Sequence, residues 1–160
     1  MSISERLVSF LKENKISYEV IAHPEAFTAQ QVAHAIHQSG KVLAKTVVVT
    51  ADGKQVMVVV PAHHRVLLDA VKKITSAKEV HIAPEETLRK LFPDCDLGAM
   101  PPLGTMYGME VIVSRALQEN ADIIFNGCTH TDCVKMQYGD FIRVVEPKVE
   151  DVSHIPPEAR

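Results

Sequence analysis

The chain opens on a helical period. Between residues 4 and 11, Leu7, Val8, Phe10 and Leu11 recur at the spacing that lines up one helix face, with Glu5, Arg6 and Ser9 interspersed. After the break at Asn14-Lys15, the run Tyr18-Glu19-Val20-Ile21 predicts a strand, so the opening is a helix followed by a strand. His23-Pro24 interrupts the chain. Thr28 with Gln31 three residues later is a capping-box pattern, which predicts a second helix to about His37 with Val32, Ala33 and Ile36 inward and Gly40 as its stop. Residues 45–50 and 55–60 are β-branched runs on either side of Asp52-Gly53, a strong hairpin signal. Their nearly continuous apolarity implies a central sheet covered on both faces.

The alternation continues to the end of the chain. Helical spacing covers 66–74, a short strand fits 79–82, and Pro84-Glu85-Glu86 opens another helix with proline in its first turn and acids at its positive end. A proline- and glycine-rich loop occupies 92–108. Apolar runs follow at 110–113, 122–125 and 134–137, then an amphipathic stretch at 140–145. The predicted class is α/β (α+β) with a mixed sheet: one domain over residues 1–149 and a loose tail over 150–160 that carries Pro156-Pro157.

Composition narrows the function classes. A chain of 160 residues with 46% apolar content is long enough for one buried core. It has no apolar run of membrane-spanning length, and its N-terminal stretch lacks the continuous hydrophobic segment of a signal peptide. The three cysteines, Cys95, Cys128 and Cys133, are too few and odd in number for a disulfide framework, so a reducing compartment, the cytoplasm, is expected. A formal charge of −3 differs from the basic balance of many tight nucleic-acid binders. Lys41, Lys45, Arg65, Lys72, Lys73 and Lys78 still suffice for a local basic rim, or are ordinary solvated positions.

Three places can carry chemistry. The loop Gly98-Ala99-Met100-Pro101-Pro102-Leu103-Gly104 has two prolines that fix φ and remove N–H donors, and two glycines that allow bends or close approach. It reads as a rigid wall presenting main-chain groups to a ligand, or as a rigid crossover. Lys45 stands at the mouth of an otherwise apolar strand, where its ammonium binds a phosphate or carboxylate, or snorkels to water. The third place is the polar stretch Asn126-Gly127-Cys128-Thr129-His130-Thr131-Asp132-Cys133. Cys128, His130 and Cys133 could serve as zinc ligands, with a fourth from His23, His63 or His64. Cysteine as a small hydrophobe, or as a nucleophile activated by histidine, are the other readings. His63-His64 after Pro61 is best read as a solvated turn.

The order of Lys45-Thr46 at a strand start, Gly98-x-x-x-Pro102-Leu103-Gly104, and Gly127-x-x-His130 resembles the YbaK/prolyl-tRNA synthetase-associated domain family over nearly the whole chain. The resemblance implies a mixed, strongly curved sheet flanked by helices, of the free-standing kind, without metal or organic cofactor. It also implies hydrolysis of mischarged aminoacyl-tRNA, here of alanine or another small amino acid on the proline tRNA, with a synthetase as partner and neither DNA nor membrane. By motif, Lys45 would hold the 3′-terminal phosphate or ribose, and Gly98, Ala99, Met100, Pro101 and Pro102 the terminal adenosine and ester. His130 would line the amino-acid pocket, with Thr46, Gly127 and Thr129 around it. Two other classes share parts of these motifs: a non-catalytic aminoacyl or nucleotide-binding module, and a zinc-dependent hydrolase.

Overall fold

The computed structural model describes residues 4–156. Helix α1 (Glu5–Glu13) is capped by the Ser4 side chain, which accepts from the Leu7 N–H, and it buries Leu7 and Leu11. Strand β1 (Tyr18–Ala22) leads to α2 (Ala29–Ala35), where the expected capping box forms between Thr28 and Gln31. The helix stops before Gly40. His37 takes a left-handed conformation (φ 57°), and the Gln38 N–H closes onto the Ala33 carbonyl at 3.0 Å, which ends the helix earlier than a glycine stop implied.

Strands β2 (Ala44–Ala51) and β3 (Lys54–Pro61) form the expected hairpin, with Asp52 and Gly53 both at positive φ (49° and 84°) as a two-residue primed turn requires. Alternation along them builds two cores. Val48, Met57 and Val59 enter one apolar cluster and Val49, Val56, Val58 and Val60 another, so the sheet is covered on both faces.

The next segments are β4 (Arg65–Val66), α3 (Leu68–Thr75), β5 (Val80–Ile82), α4 (Glu85–Leu91), β6 (Glu110–Ser114) and β7 (Asp122–Asn126). They are followed by β8 (Asp132–Gln137), α5 (Tyr138–Val145), β9 (Lys148–Glu150) and β10 (Ser153–His154). The larger sheet has the order β5-β2-β3-β6-β9, antiparallel around β2 and parallel from β3 through β9; a second, antiparallel sheet has the order β1-β8-β7. A parallel bridge from Leu43 to Ile124 joins the two.

Two expectations change at the chain end. The helix expected over 66–74 begins at Leu68, because Arg65–Val66 pairs with Ser153–His154. The segment expected as a loose tail is pinned by that pairing and by fully buried Val152 through the last described residues; 157–160 lie outside them.

Candidate functional site

Strand β7 runs into Gly127-Cys128-Thr129-His130, and the turn back into β8 is set by Asp132. Its buried carboxylate accepts from the Thr129 and Thr131 hydroxyls at 3.0 and 3.1 Å, while its carbonyl accepts from the Gly127 N–H at 2.9 Å. Thus Thr129 is a strut of the loop. The same loop is stitched to the proline loop: Cys128 N–H donates to Ala99 O at 3.0 Å, Asp96 N–H to Cys128 O at 2.8 Å, and His130 Nε2 to Leu97 O at 2.9 Å. Gly98 sits at φ 87°, and a β-carbon there would lie 3.7 Å from His130 Cε1. The structure therefore brings Gly98 and His130 into one corner. Ala99, Met100, Pro101 and Pro102 are buried behind it, so they can offer a ligand main-chain groups rather than exposed side chains.

The protonation of His130 follows from its partner. A carbonyl only accepts, so Nε2 carries the hydrogen, and Nδ1 of the neutral ring is an acceptor. That Nδ1 is buried and has no partner among the described residues. Gly98 also keeps an N–H with no acceptor among the described residues, whereas Ala99 N–H is taken by Asp96 O at 3.0 Å.

A wall that the sequence reading did not identify comes from the segment after β1. His23 N–H donates to Thr131 O at 2.8 Å and Ala26 N–H to His130 O at 3.1 Å, which lays Phe27 across His130 with ring centroids 4.9 Å apart. Phe27 is 60% exposed, a large apolar surface left to solvent. Beside it opens a cleft of about 690 Å³ lined by Pro24, Phe27, Thr28, Gln31 and His34. The sequence signal was one aromatic residue in a short segment just before a helix cap.

Lys45 and Thr46 begin β2. Neither hydrogen bond nor ion pair links Lys45 to Gly98 or His130; its electrostatic neighbours are Arg65 and His64. Half-burial, then the Arg65 charge, holds its ammonium below the usual lysine range, and no carboxylate among the described residues pairs with it. Thr46 Oγ1 is buried without a partner. Ala44, next to Lys45, belongs to the same apolar cluster as Met100 and Leu103 of the proline loop, and Leu43 bridges to Ile124 of β7.

The zinc grouping does not assemble. The Cys128 sulfur lies against the Cys95 sulfur and the Asp94 carboxylate, Cys133 lies buried with its sulfur 3.6 Å from His23 Nε2, and the His130 Nε2 is occupied by Leu97 O. Burial, then the Asp132 charge, pushes the Cys133 thiol up to about 12, which makes it inert as a nucleophile. Cys95 and Cys128 thus face each other across the two loops. Nor is His63-His64 an ordinary solvated turn, because His64 Nδ1 is bonded to Ser153 Oγ at 2.8 Å and His63 Nδ1 is buried.

Comparison with known proteins decides the family. The aminoacyl-tRNA editing domain profile matches residues 23–144. The chain belongs to that family. Similar proteins include the proline–tRNA ligase of Bacillus mycoides, 27% identical over 117 residues, and that of Bacillus cytotoxicus, 30% identical over 116 residues. These alignments cover 73% and 72% of this chain but 20% of each ligase, so the editing domain spans about one fifth of those relatives' length. Among solved structures, a hypothetical protein superposes with a TM-score of 0.85 at 18% identity, covering 94% of this chain and all of the other. A candidate trans-editing enzyme for prolyl-tRNA synthetase superposes with a TM-score of 0.83 at 17% identity, covering 96% of this chain and 99% of the other. These neighbours establish the editing-domain fold, a mixed sheet flanked by helices.

Proposed function

We propose that this editing domain is a deacylase that acts in trans, hydrolysing the ester of a mischarged aminoacyl-tRNA. The observation that carries the reading is where unpartnered polar groups lie. Buried polar atoms are normally satisfied. Here His130 Nδ1 and Thr46 Oγ1 are buried with no partner among the described residues, as are His63 Nδ1 and the Tyr138 hydroxyl, while the N–H of exposed Gly98 and the half-buried Lys45 ammonium have no protein partner among them; His130, Thr46, Gly98 and Lys45 belong to the motifs that resemble the family's.

An aminoacyl ester is intrinsically labile, so a positioned hydroxyl or water and a donor for the developing oxyanion suffice to speed its hydrolysis. In this reading Gly98 N–H faces the ester carbonyl oxygen, on a loop that prolines and Cys128 hold still. His130 Nδ1 accepts from the ammonium of the aminoacyl group, which fixes the acyl carbon, and Lys45 holds the 3′-terminal phosphate. The attacking oxygen comes from water, which a ribose hydroxyl of the tRNA can position; it bonds to the acyl carbon, the ester C–O bond breaks, the ribose oxygen leaves with the water's proton, and the free amino acid is released.

The substrate is alanyl-tRNA(Pro) or the same tRNA carrying another small amino acid. One methylene is worth only about 1–3 kcal/mol to a binding pocket, so a synthetase for proline gains from a second, smaller hydrolytic site. A cytoplasmic address and a prolyl-tRNA synthetase that supplies the mischarged product follow from that substrate. The test is release of labelled amino acid from proline tRNA charged separately with alanine, cysteine, serine and proline. Alanine release well above the other three is expected. Equal release of alanine and cysteine contradicts the alanine assignment, and no release from any of the four leaves a binding module as the better account.

A further inference from the structure

Cys128 belongs to a different cluster from the one its sequence spacing suggested, and the proposed hydrolysis does not use it. The loop after α4 brings Asp94 and Cys95 to the turn that carries Cys128, where a carboxylate oxygen and the two sulfurs all lie within 4.8 Å of one another. Cys128 is buried and the other two are half-buried.

The backbone fixes these groups in place. Cys128 holds φ 75°, in the left-handed region that favours glycine, and is kept there by both of its main-chain bonds, N–H to Ala99 O at 3.0 Å and carbonyl from Asp96 N–H at 2.8 Å. A side chain retained where glycine fits with less strain points to a task for that sulfur. Opposite it, the Cys95 N–H donates to Phe92 O at 3.2 Å, and Phe92 packs edge-on against Tyr107 with centroids 4.5 Å apart.

The surroundings suit a cation. Asp94 makes no ion pair among the described residues. Its Oδ2 accepts from the Ser4 hydroxyl at 2.8 Å, and both its oxygens lie 3.3 Å from the Tyr107 hydroxyl, which is also 3.5 Å from the Cys95 sulfur. Hydroxyls that orient a carboxylate and a thiol in this way are the outer partners that metal ligands use. The carboxylate also decides between two uses of a thiol pair. Its charge opposes thiolate formation, whereas cysteines built for disulfide exchange sit in positive surroundings. A divalent cation reverses that effect, because the carboxylate becomes a ligand and both thiols lose their protons to the metal's charge. The Arg6 guanidinium lies over the Tyr107 ring, 4.5 Å from its centroid, and donates to the Met106 carbonyl, so it offsets negative charge from outside without pairing with Asp94.

We propose that Asp94, Cys95 and Cys128 bind one zinc ion, with water as the fourth ligand. Two thiolates with a carboxylate suit zinc better than they suit magnesium or calcium. On binding, each thiol releases its proton to solvent. The metal ties Cys95, three residues before Gly98, to Cys128, two residues before His130, and so braces that corner without touching a reacting atom.

The experiment reads metal alone, so its outcome is separate from that of the deacylase reading. The full chain is purified with a phosphine reductant, stripped by chelation and titrated with Co²⁺ and then Zn²⁺, with circular dichroism as the check on folding. A thiolate-to-cobalt charge-transfer band that saturates at one ion per chain is expected, with displacement by zinc and release of about two protons per ion near pH 7. Cys95→Ser and Cys128→Ser are each expected to lose most of the band, and half-buried Cys95 keeps the test open if Cys128→Ser does not fold. Tyr107→Phe is expected to weaken cobalt binding about tenfold. Cys133→Ala, outside the cluster, is expected to leave the band unchanged. No band in a folded chain with both thiols free, an undiminished band in Cys95→Ser, or a lost band in folded Cys133→Ala each overturns the proposal. Recovery of a Cys95–Cys128 disulfide from cells lysed into a thiol-alkylating agent also overturns it and assigns the pair to thiol–disulfide chemistry.

Discussion

A methyl group added at Gly104 would run into Val111 Cγ2 and approach the Met109 carbonyl oxygen to 2.9 Å. Both neighbours belong to the approach to β6, so neither can give way without moving that strand. Gly104→Ala is therefore expected to destabilise the fold by roughly 1–3 kcal/mol, the usual range for forced overpacking, read as a lower denaturation midpoint at unchanged slope. Gly104 illustrates what single residues disclosed. Two glycines bracketing two prolines announced a bend and a close approach, and the structure has a positive φ at Gly98 and the close approach at Gly104. Phe27 and Asp132 were harder to see. An aromatic ring over His130 and a carboxylate bracing two threonine hydroxyls depend on contacts between segments that no spacing rule encodes.

At the level of elements, α2 matters because it orders the rim of the cleft. The Thr28 hydroxyl accepts from the Gln31 N–H at 3.1 Å, and Gln31 Oε1 accepts in return from the N–H groups of Thr28 and Phe27. That reciprocal cap holds Phe27 where it meets His130. Thr28→Ala is expected to cost about 1 kcal/mol of stability and to speed amide exchange at the start of α2, while the β2–β3 hairpin keeps its protection. Unchanged exchange across α2 would show that packing, not the cap, holds the rim. Elements with a strong local cause, such as the capping box and the Asp52-Gly53 turn, were legible in the sequence. Those with a remote cause were not. Strand β4 exists because β10 pairs with it from the far end of the chain, so local helical spacing over 66–74 misplaced the start of α3.

On the scale of the whole molecule, the site is assembled from segments far apart in sequence. The proline loop, the turn between β7 and β8, and the segment before α2 meet at Gly98, His130 and Phe27, while the start of β2 shares a core with them through Ala44, Met100, Leu103 and Phe125 and the Leu43 bridge. Cys95 and Cys128 meet between two of these segments, and the isolated count of three cysteines gave no sign of it. The shared motifs supplied the residues in their order along the chain. Only the folded chain adds which of them lack partners among the described residues, and that pattern supports the proposed mechanism. In that proposal the Lys45 ammonium, unpaired among the described residues, serves the reaction. The most direct measurement is the initial rate of alanine release from alanyl-tRNA(Pro) by the wild-type chain and by Lys45→Ala, after circular dichroism has established that both are folded. A loss of about 10²-fold or more is predicted, the size expected when a group stabilising the transition state is removed. Equal rates in the two proteins would contradict the account and move the search for the site away from the start of β2.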